Sequence, residues 1–216
     1  MFRRKLAIVS SLGAVALFLS GLASAQTMNG SEHDFRAVGW NPGGELCVVC
    51  HTPHNGDVSV ASEAPLWNHE LSTATYVMYS RPLDGAISGT PNALSALCLS
   101  CHDGTVALDN FGGATGGTNF IGANANFGFN LEDDHPISVT YTTATASADG
   151  ALFDPSTTTV TLPDATTPTI DDGLLDGGGN VECSSCHNVH NDNTSGNFLL
   201  KVDNAGSGLC RSCHTK

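Results

Sequence analysis

The sequence predicts a domain of mostly irregular coil, with short helices and a few β-strands packed around groups that the polypeptide does not itself supply. Three observations carry that prediction. The pattern Cys-x-x-Cys-His occurs four times, at Cys47-Cys50-His51, Cys98-Cys101-His102, Cys183-Cys186-His187 and Cys210-Cys213-His214, and it uses all eight cysteines. The chain of 216 residues has 24 glycines and is only 6% aromatic, so its side chains alone would build a poor core. The long interval between the second and third motifs turns to Gly, Thr, Asn and Asp, the composition of loops and short strands.

Each part of the repeated motif has a separate job in c-type haem attachment. Two thiols add to the porphyrin vinyl groups, and the adjacent imidazole reaches the iron. Four copies imply four covalently held haems and place the fold in the multihaem cytochrome c class. A pair of zinc ribbons would also use Cys-x-x-Cys, but zinc does not require a histidine after the second cysteine of every pair. A thioredoxin-like redox motif would need a βαβ pattern that is missing here. Four close pairs of identical spacing would make an odd disulfide framework.

At the N-terminus, Arg3, Arg4 and Lys5 precede an apolar stretch over 6–22, and Ala23-Ser24-Ala25 fits an A-x-A cleavage site. Residues 1–25 read as a signal peptide, with Gln26 as the expected mature start and 26–216 as a single tetrahaem domain. The expected location is extracellular or on the cell surface, with the periplasm as the alternative. Loss of 1–25 removes three basic residues and leaves five against 21 acidic ones, a formal charge of −16. So acidic a chain lacks the clustered Lys and Arg that phosphate binding needs, so nucleic acid is excluded as a partner. The 191 residues left by cleavage give roughly 48 per haem, so the haems are expected to be the core, with the apoprotein largely unfolded.

Residues 26–46, broken by Gly30, Gly39, Pro42, Gly43 and Gly44, read as irregular. Residues 92–102 predict a helix: Pro91 precedes them, and Ala93, Leu94, Ala96, Leu97 and Leu99 give helical spacing up to the second motif. About 110–180 reads as a loop and strand insert. Within it, 136–143 alternates Ile137, Val139 and Tyr141 with Ser138, Thr140 and Thr142, a strand pattern, and 157–162 is a second strand candidate. Residues 171–180 read as a Gly and Asp loop. A Ca²⁺ site among Asp164, Asp171, Asp172 and Asp176 lacks the twelve-residue loop pattern, and a solvated loop is the preferred reading.

Of nine histidines, His51, His102, His187 and His214 are proximal iron ligands by the motif. The other five, His33, His54, His69, His135 and His190, are candidates for the sixth positions. His54 and His190 each follow a proximal histidine by three residues, a reach of at most roughly 10 Å. Neither can pass around its own porphyrin, so each should ligate a neighbouring haem. Five candidates exceed four sites, so one is expected to be a bystander, and the N-terminal place of His33 marks it as the first to consider. Bis-His iron is closed to small ligands, which points to electron transfer rather than catalysis. Met28 and Met78 are alternatives that nothing singles out. No Cys-x-x-Cys-Lys variant of the kind expected at a nitrite reductase haem is present.

Several segments are more specific than the motif: Cys-Val-Val-Cys-His-Thr-Pro-His-Asn at 47–55, Ala-Pro-Leu-Trp-Asn-His at 64–69, Cys-Leu-Ser-Cys-His-Asp-Gly-Thr-Val-Ala at 98–107, Asp-Asp-His-Pro-Ile-Ser at 133–138 and Val-Glu-Cys-Ser-Ser-Cys-His-Asn-Val-His-Asn at 181–191. With Gly-Ser-Glu-His-Asp-Phe at 30–35, they resemble the extracellular multihaem cytochromes of metal-reducing bacteria, and among them the OmcE-like tetrahaem group. The resemblance implies four stacked bis-His haems, head-to-tail polymerisation into a filament, and one distal histidine supplied by the next subunit. By resemblance, His54 is the candidate for that ligand, serving the haem of Cys210 and Cys213 in a neighbouring chain. His33, His69, His135 and His190 would then serve inside the subunit.

Three functions follow as expectations. The first is a filament that conducts electrons to external acceptors or redox partners. The second is a soluble monomeric periplasmic tetrahaem shuttle, and the third a catalytic multihaem reductase with an accessible iron.

Overall fold

The computed structural model describes residues 28–57, 66–190 and 198–216. The export segment at 1–25, Gln26, Ala64, Pro65 and Asn191 lie outside the described residues. Coil dominates the rest. In chain order the elements are a 3-10 turn at Phe35–Ala37, α1 (Ala93–His102), a 3-10 turn at Ala123–Ala125, β1 (Val139–Thr140), α2 (Thr143–Asp149), α3 (Ile170–Gly173), β2 (Asn180–Val181), α4 (Cys183–Cys186), a 3-10 turn at Ala205–Ser207 and α5 (Gly208–Cys213). Among the described residues, three of the five α-helices, α1, α4 and α5, carry Cys-x-x-Cys pairs.

The helix expected over 92–102 forms as α1, with Asn92 in extended conformation at its N-cap. Leu97 and Leu99 are buried, and Leu97 packs with Trp67, Leu71 and Leu94. Just beyond the helix, Gly104 turns left-handed at φ +74°, and a Cβ there would fall 2.2 Å from the Asn126 side-chain nitrogen. Only glycine fits that place.

The insert differs from the expectation. The strand expected over 136–143 reduces to two residues, pairing antiparallel with β2 in the register Val139↔Val181 and Thr140↔Asn180. Ser138, at φ +56°, ends the extended run on one side, and α2 begins on the other. In α2 the Thr142 hydroxyl accepts from Thr145 N at 3.2 Å, and Gly150 closes the helix at φ +68°. The strand expected over 157–162 is a single bridge between Thr159 and Thr169. The loop expected over 171–180 starts inside α3, where the Thr169 hydroxyl accepts from Asp172 N at 3.1 Å.

A second difference concerns the core. Tyr141, Ala146, Val160, Ile170, Leu174 and Val202 form a buried cluster, with Leu152, Leu209 and Cys213 packed against it. The insert therefore builds a small polypeptide core and ties it to α5. Burial of an aliphatic side chain contributes about 1.5–3 kcal/mol, so this cluster adds to the stability of the C-terminal part. Among the described residues, no helix is long and apolar enough to cross a membrane.

Candidate functional site

All four Cys-x-x-Cys-His motifs adopt one helical turn. His51 N donates to Cys47 O at 2.8 Å, His187 N to Cys183 O at 3.1 Å and His214 N to Cys210 O at 3.0 Å, while the second motif is the last turn of α1. An i, i+3 pair lies on one face of such a turn, so both thiols point the same way.

Three of the motifs continue into a common clip. Each histidine leaves its turn in a bridge to an antiparallel segment: His51 to Trp67, His187 to Leu200, His214 to Leu152. The flanking bonds repeat as well. Asn68, Lys201 and Phe153 donate to the carbonyls of Cys50, Cys186 and Cys213 at 2.9, 2.8 and 2.9 Å. Thr52, Asn188 and Thr215 donate to Leu66, Leu199 and Ala151 at 3.0, 2.8 and 2.9 Å. The clip fixes where each imidazole stands, because the residues on both sides of it are held by the same short segment.

The histidines are then brought together in a regular way. His51 and His190 have ring centroids 6.1 Å apart, His33 and His102 6.0 Å, and His135 and His214 6.4 Å. Each pair joins one motif histidine to one non-motif histidine. Backbone carbonyls orient several rings by accepting from Nδ1: Ala125 O from His102, Phe198 O from His187, both at 2.8 Å, and Pro136 O from His135 at 3.0 Å. Such a bond leaves Nε2 facing away, free for a metal. Burial, then the neighbouring His102 and His187, push the His33 imidazole down to about 4, so it stands neutral, the form that can ligate.

The remaining histidines differ from these. His69 is buried beside the second motif, with Nδ1 2.8 Å from Glu70 O, Nε2 3.1 Å from Ala107 O and Cys101 Sγ 3.6 Å from Nε2; as a neutral ring it donates to one of the two carbonyls. His54 and His187 are exposed; among the described residues neither forms a ring pair like the three above, although His187 lies near enough to His33 to lower it.

The cysteines show how the motifs follow one another in space. Burial pushes the Cys50 thiol up to about 11, Cys101 to about 12 and Cys213 to about 11, and nearby thiols add to each rise. Cys50 raises the Cys101 thiol further, Cys183 the Cys98 thiol and Cys210 the Cys186 thiol. The motifs therefore adjoin in chain order. Beside the second motif, Asp103 is 3% exposed. Burial pushes its carboxyl up, but bonds from Ser72, Tyr76 and Thr105 outweigh that and leave it below its ordinary value.

Residues 177–216 match the family model described as the doubled CXXCH motif. The match points to a multihaem c-type cytochrome. The matched stretch holds the third and fourth motifs, and the same motif in the first half extends the reading to Cys47, Cys50, Cys98 and Cys101. A comparison with curated proteins returns no match.

The residues fit covalently bound haem. Two imidazoles on opposite sides of one metal, each bonded at about 2 Å, have ring centroids roughly 6 Å apart, which is the spacing of the three pairs. Among the described residues, no three His, Cys, Asp or Glu are grouped so as to hold a metal ion. Asp171, Asp172 and Asp176 line an open cleft, but Asp164 is not part of it.

The clip itself was missed in the sequence. Its signal is an internal repeat: Cys47-x-x-Cys50-His51 with His54, followed by Leu66-Trp67-Asn68, parallels Cys183-x-x-Cys186-His187 with His190, followed by Leu199-Leu200-Lys201.

Proposed function

We propose that this chain is an exported tetrahaem electron carrier in which every iron is bis-His, and that it polymerises into an extracellular filament of the OmcE-like kind. The observation that carries this reading is the remainder left by the three histidine pairs. Those pairs use His51, His102 and His214 with His190, His33 and His135, which leaves one motif histidine, His187, and two others. His69 pairs with no motif histidine among the described residues and lies against the carbonyls of Glu70 and Ala107, and we take it as the bystander. His54 is the exposed histidine that remains, and we assign it to the His187 iron of a neighbouring copy rather than to the His214 iron.

The surroundings of His187 support that assignment. Phe198, whose carbonyl holds the His187 ring, is 76% exposed, and Val189 is 40% exposed. Apolar side chains in such a place are suited to being covered by another copy. A contact from one face to a different face, with no closing rotation, propagates into a fibre.

Haem, when bound, would supply one-electron chemistry at iron; His51 with His190, His102 with His33 and His214 with His135 would hold it, and the chain keeps successive motifs near one another. Closure by two imidazoles leaves no position for a substrate, which separates a conductor from a reductase.

Electron microscopy of the secreted haem protein tests the reading. Filaments are expected from the native chain, and small particles with four haems per chain from His54→Ala. Normal filaments from His54→Ala would remove the role of that histidine. Only small particles from the native chain would favour the soluble periplasmic shuttle.

A further inference from the structure

Glu182 is 1% exposed and sits where the second and third motifs meet. It immediately precedes Cys183, and α4 packs on α1 there. Its carboxylate accepts from Asn92 Nδ2 at 2.8 Å on one oxygen, and from the Ser95 hydroxyl and the Ser138 hydroxyl, the latter at 3.0 Å, on the other. Ser185 holds the Glu182 backbone: its N–H donates to Glu182 O at 2.9 Å, and its hydroxyl accepts from Glu182 N at 2.8 Å. Ser95 also accepts from Cys183 N at 3.1 Å, so the group that holds the carboxylate holds the start of the third motif as well.

These partners are neutral. A buried carboxylate with neutral partners is solvated by hydrogen bonds, but its charge is not cancelled. Asn92 and Ser95 stand at the head of the helix that carries Cys98 and Cys101, and that helix packs on the turn that carries Cys183. The anion is thus built into the joint between two haem attachments, with no comparable buried carboxylate beside Cys47 or Cys210 among the described residues.

We infer that Glu182 sets the reduction potentials of the two inner haems, those on Cys98/Cys101 and Cys183/Cys186, holding both below the values they would otherwise have. This rests on the tetrahaem reading above. An iron carries one more positive charge when ferric than when ferrous. A fixed negative charge in a medium of low dielectric therefore favours the ferric state. By Coulomb's law at an effective dielectric of about 20, one charge at about 10 Å changes a one-electron equilibrium roughly tenfold. Glu182 acts through space on the inner irons, as a positioning and potential-setting residue, and neither accepts nor passes the electron.

The test is a spectroelectrochemical titration of the haem-loaded protein, with a haem count per chain alongside. In Glu182→Gln, which keeps the shape and removes the charge, half of the total absorbance change is expected to move upward. The ferrous-to-ferric ratio of those haems at fixed potential should rise about tenfold, equivalent to 59 mV for one electron. Glu182→Asp, which keeps the charge, should titrate within about threefold of the native protein, as an order-of-magnitude bound. Asn92→Lys leaves Glu182 in place and sets an ammonium against its carboxylate; it should raise the same half of the signal, and it serves if Glu182→Gln fails to load haem. An unmoved titration in either neutralising variant overturns the inference. So does an equal shift of all four haems, which would mean general loosening. A native count below four haems would instead overturn the tetrahaem reading, and the two failures are thereby separated.

Discussion

Residues 47–57 with 66–68, and residues 183–190 with 199–201, repeat one arrangement in opposite situations. Both begin with a haem motif, place a second histidine three residues after the first, and return through a clip of three residues. In both clips the first residue is a leucine in the left-handed region, Leu66 at φ +60° and Leu199 at φ +56°. Yet His190 of the second segment meets His51 of the first at 6.1 Å, whereas the reciprocal histidine, His54, meets no histidine ring among the described residues. Equal local structure thus leaves an unequal connection. The difference lies in what each segment faces, and an unreciprocated contact is what an open chain of subunits requires.

The largest expected effect comes from exchanging the two histidines in turn. His54→Ala should abolish filaments, and the reduced subunit should bind carbon monoxide at one haem in four. His190→Ala should also open one haem in four to carbon monoxide, but at the His51 iron, while leaving the contact made by His54 intact. Filaments lost in His190→Ala and kept in His54→Ala would reverse the comparison.

The clips can be broken separately. A Cβ on Gly56 would sit 2.6 Å from the Leu66 backbone, so Gly56→Ala forces the first clip apart. A loss of about 1–3 kcal/mol is expected in guanidinium unfolding of the haem-loaded protein. Leu199 is buried, so Leu199→Gly loses packing of about 2–5 kcal/mol and recovers only about 1–2 kcal/mol of backbone strain. The second clip should weaken by about 1–3 kcal/mol in the same measurement.

The smallest effect has the opposite sign. Leu66 is 36% exposed, so Leu66→Gly loses less packing and gains the same relief. A stabilisation of about 0.5 kcal/mol is expected. Two equivalent substitutions with opposite signs would show that the clips share a backbone and differ in burial; equal signs would show that the leucines have the same surroundings.

Much of this was legible in the sequence because haem attachment is written in covalent chemistry. Cys-x-x-Cys-His names its own turn, and Pro91 with the apolar spacing to Leu99 marks α1. The candidate ligands were legible as a set, but their pairing was not. His69 and His135 look alike as letters, and only the fold shows carbonyls beside both nitrogens of one and beside Nδ1 alone of the other. His33, singled out in the sequence by its terminal position, stands beside His102 because the 3-10 turn at Phe35–Ala37 folds the segment back. The insert was misread because threonine favours strands and also caps helices. Thr142 and Thr169 do the second, and Gly150 ends the helix that the first began.

The nearness of Cys98 and Cys183, which shows in the way each shifts the other's titration, bears on assembly. With haem attached, both sulfurs would be thioethers and their nearness harmless. Left as free thiols, 85 positions apart in sequence, they would be open to oxidation to each other in an oxidising compartment. Such a crosslink would block two attachment sites at once, and attachment that precedes folding would avoid it.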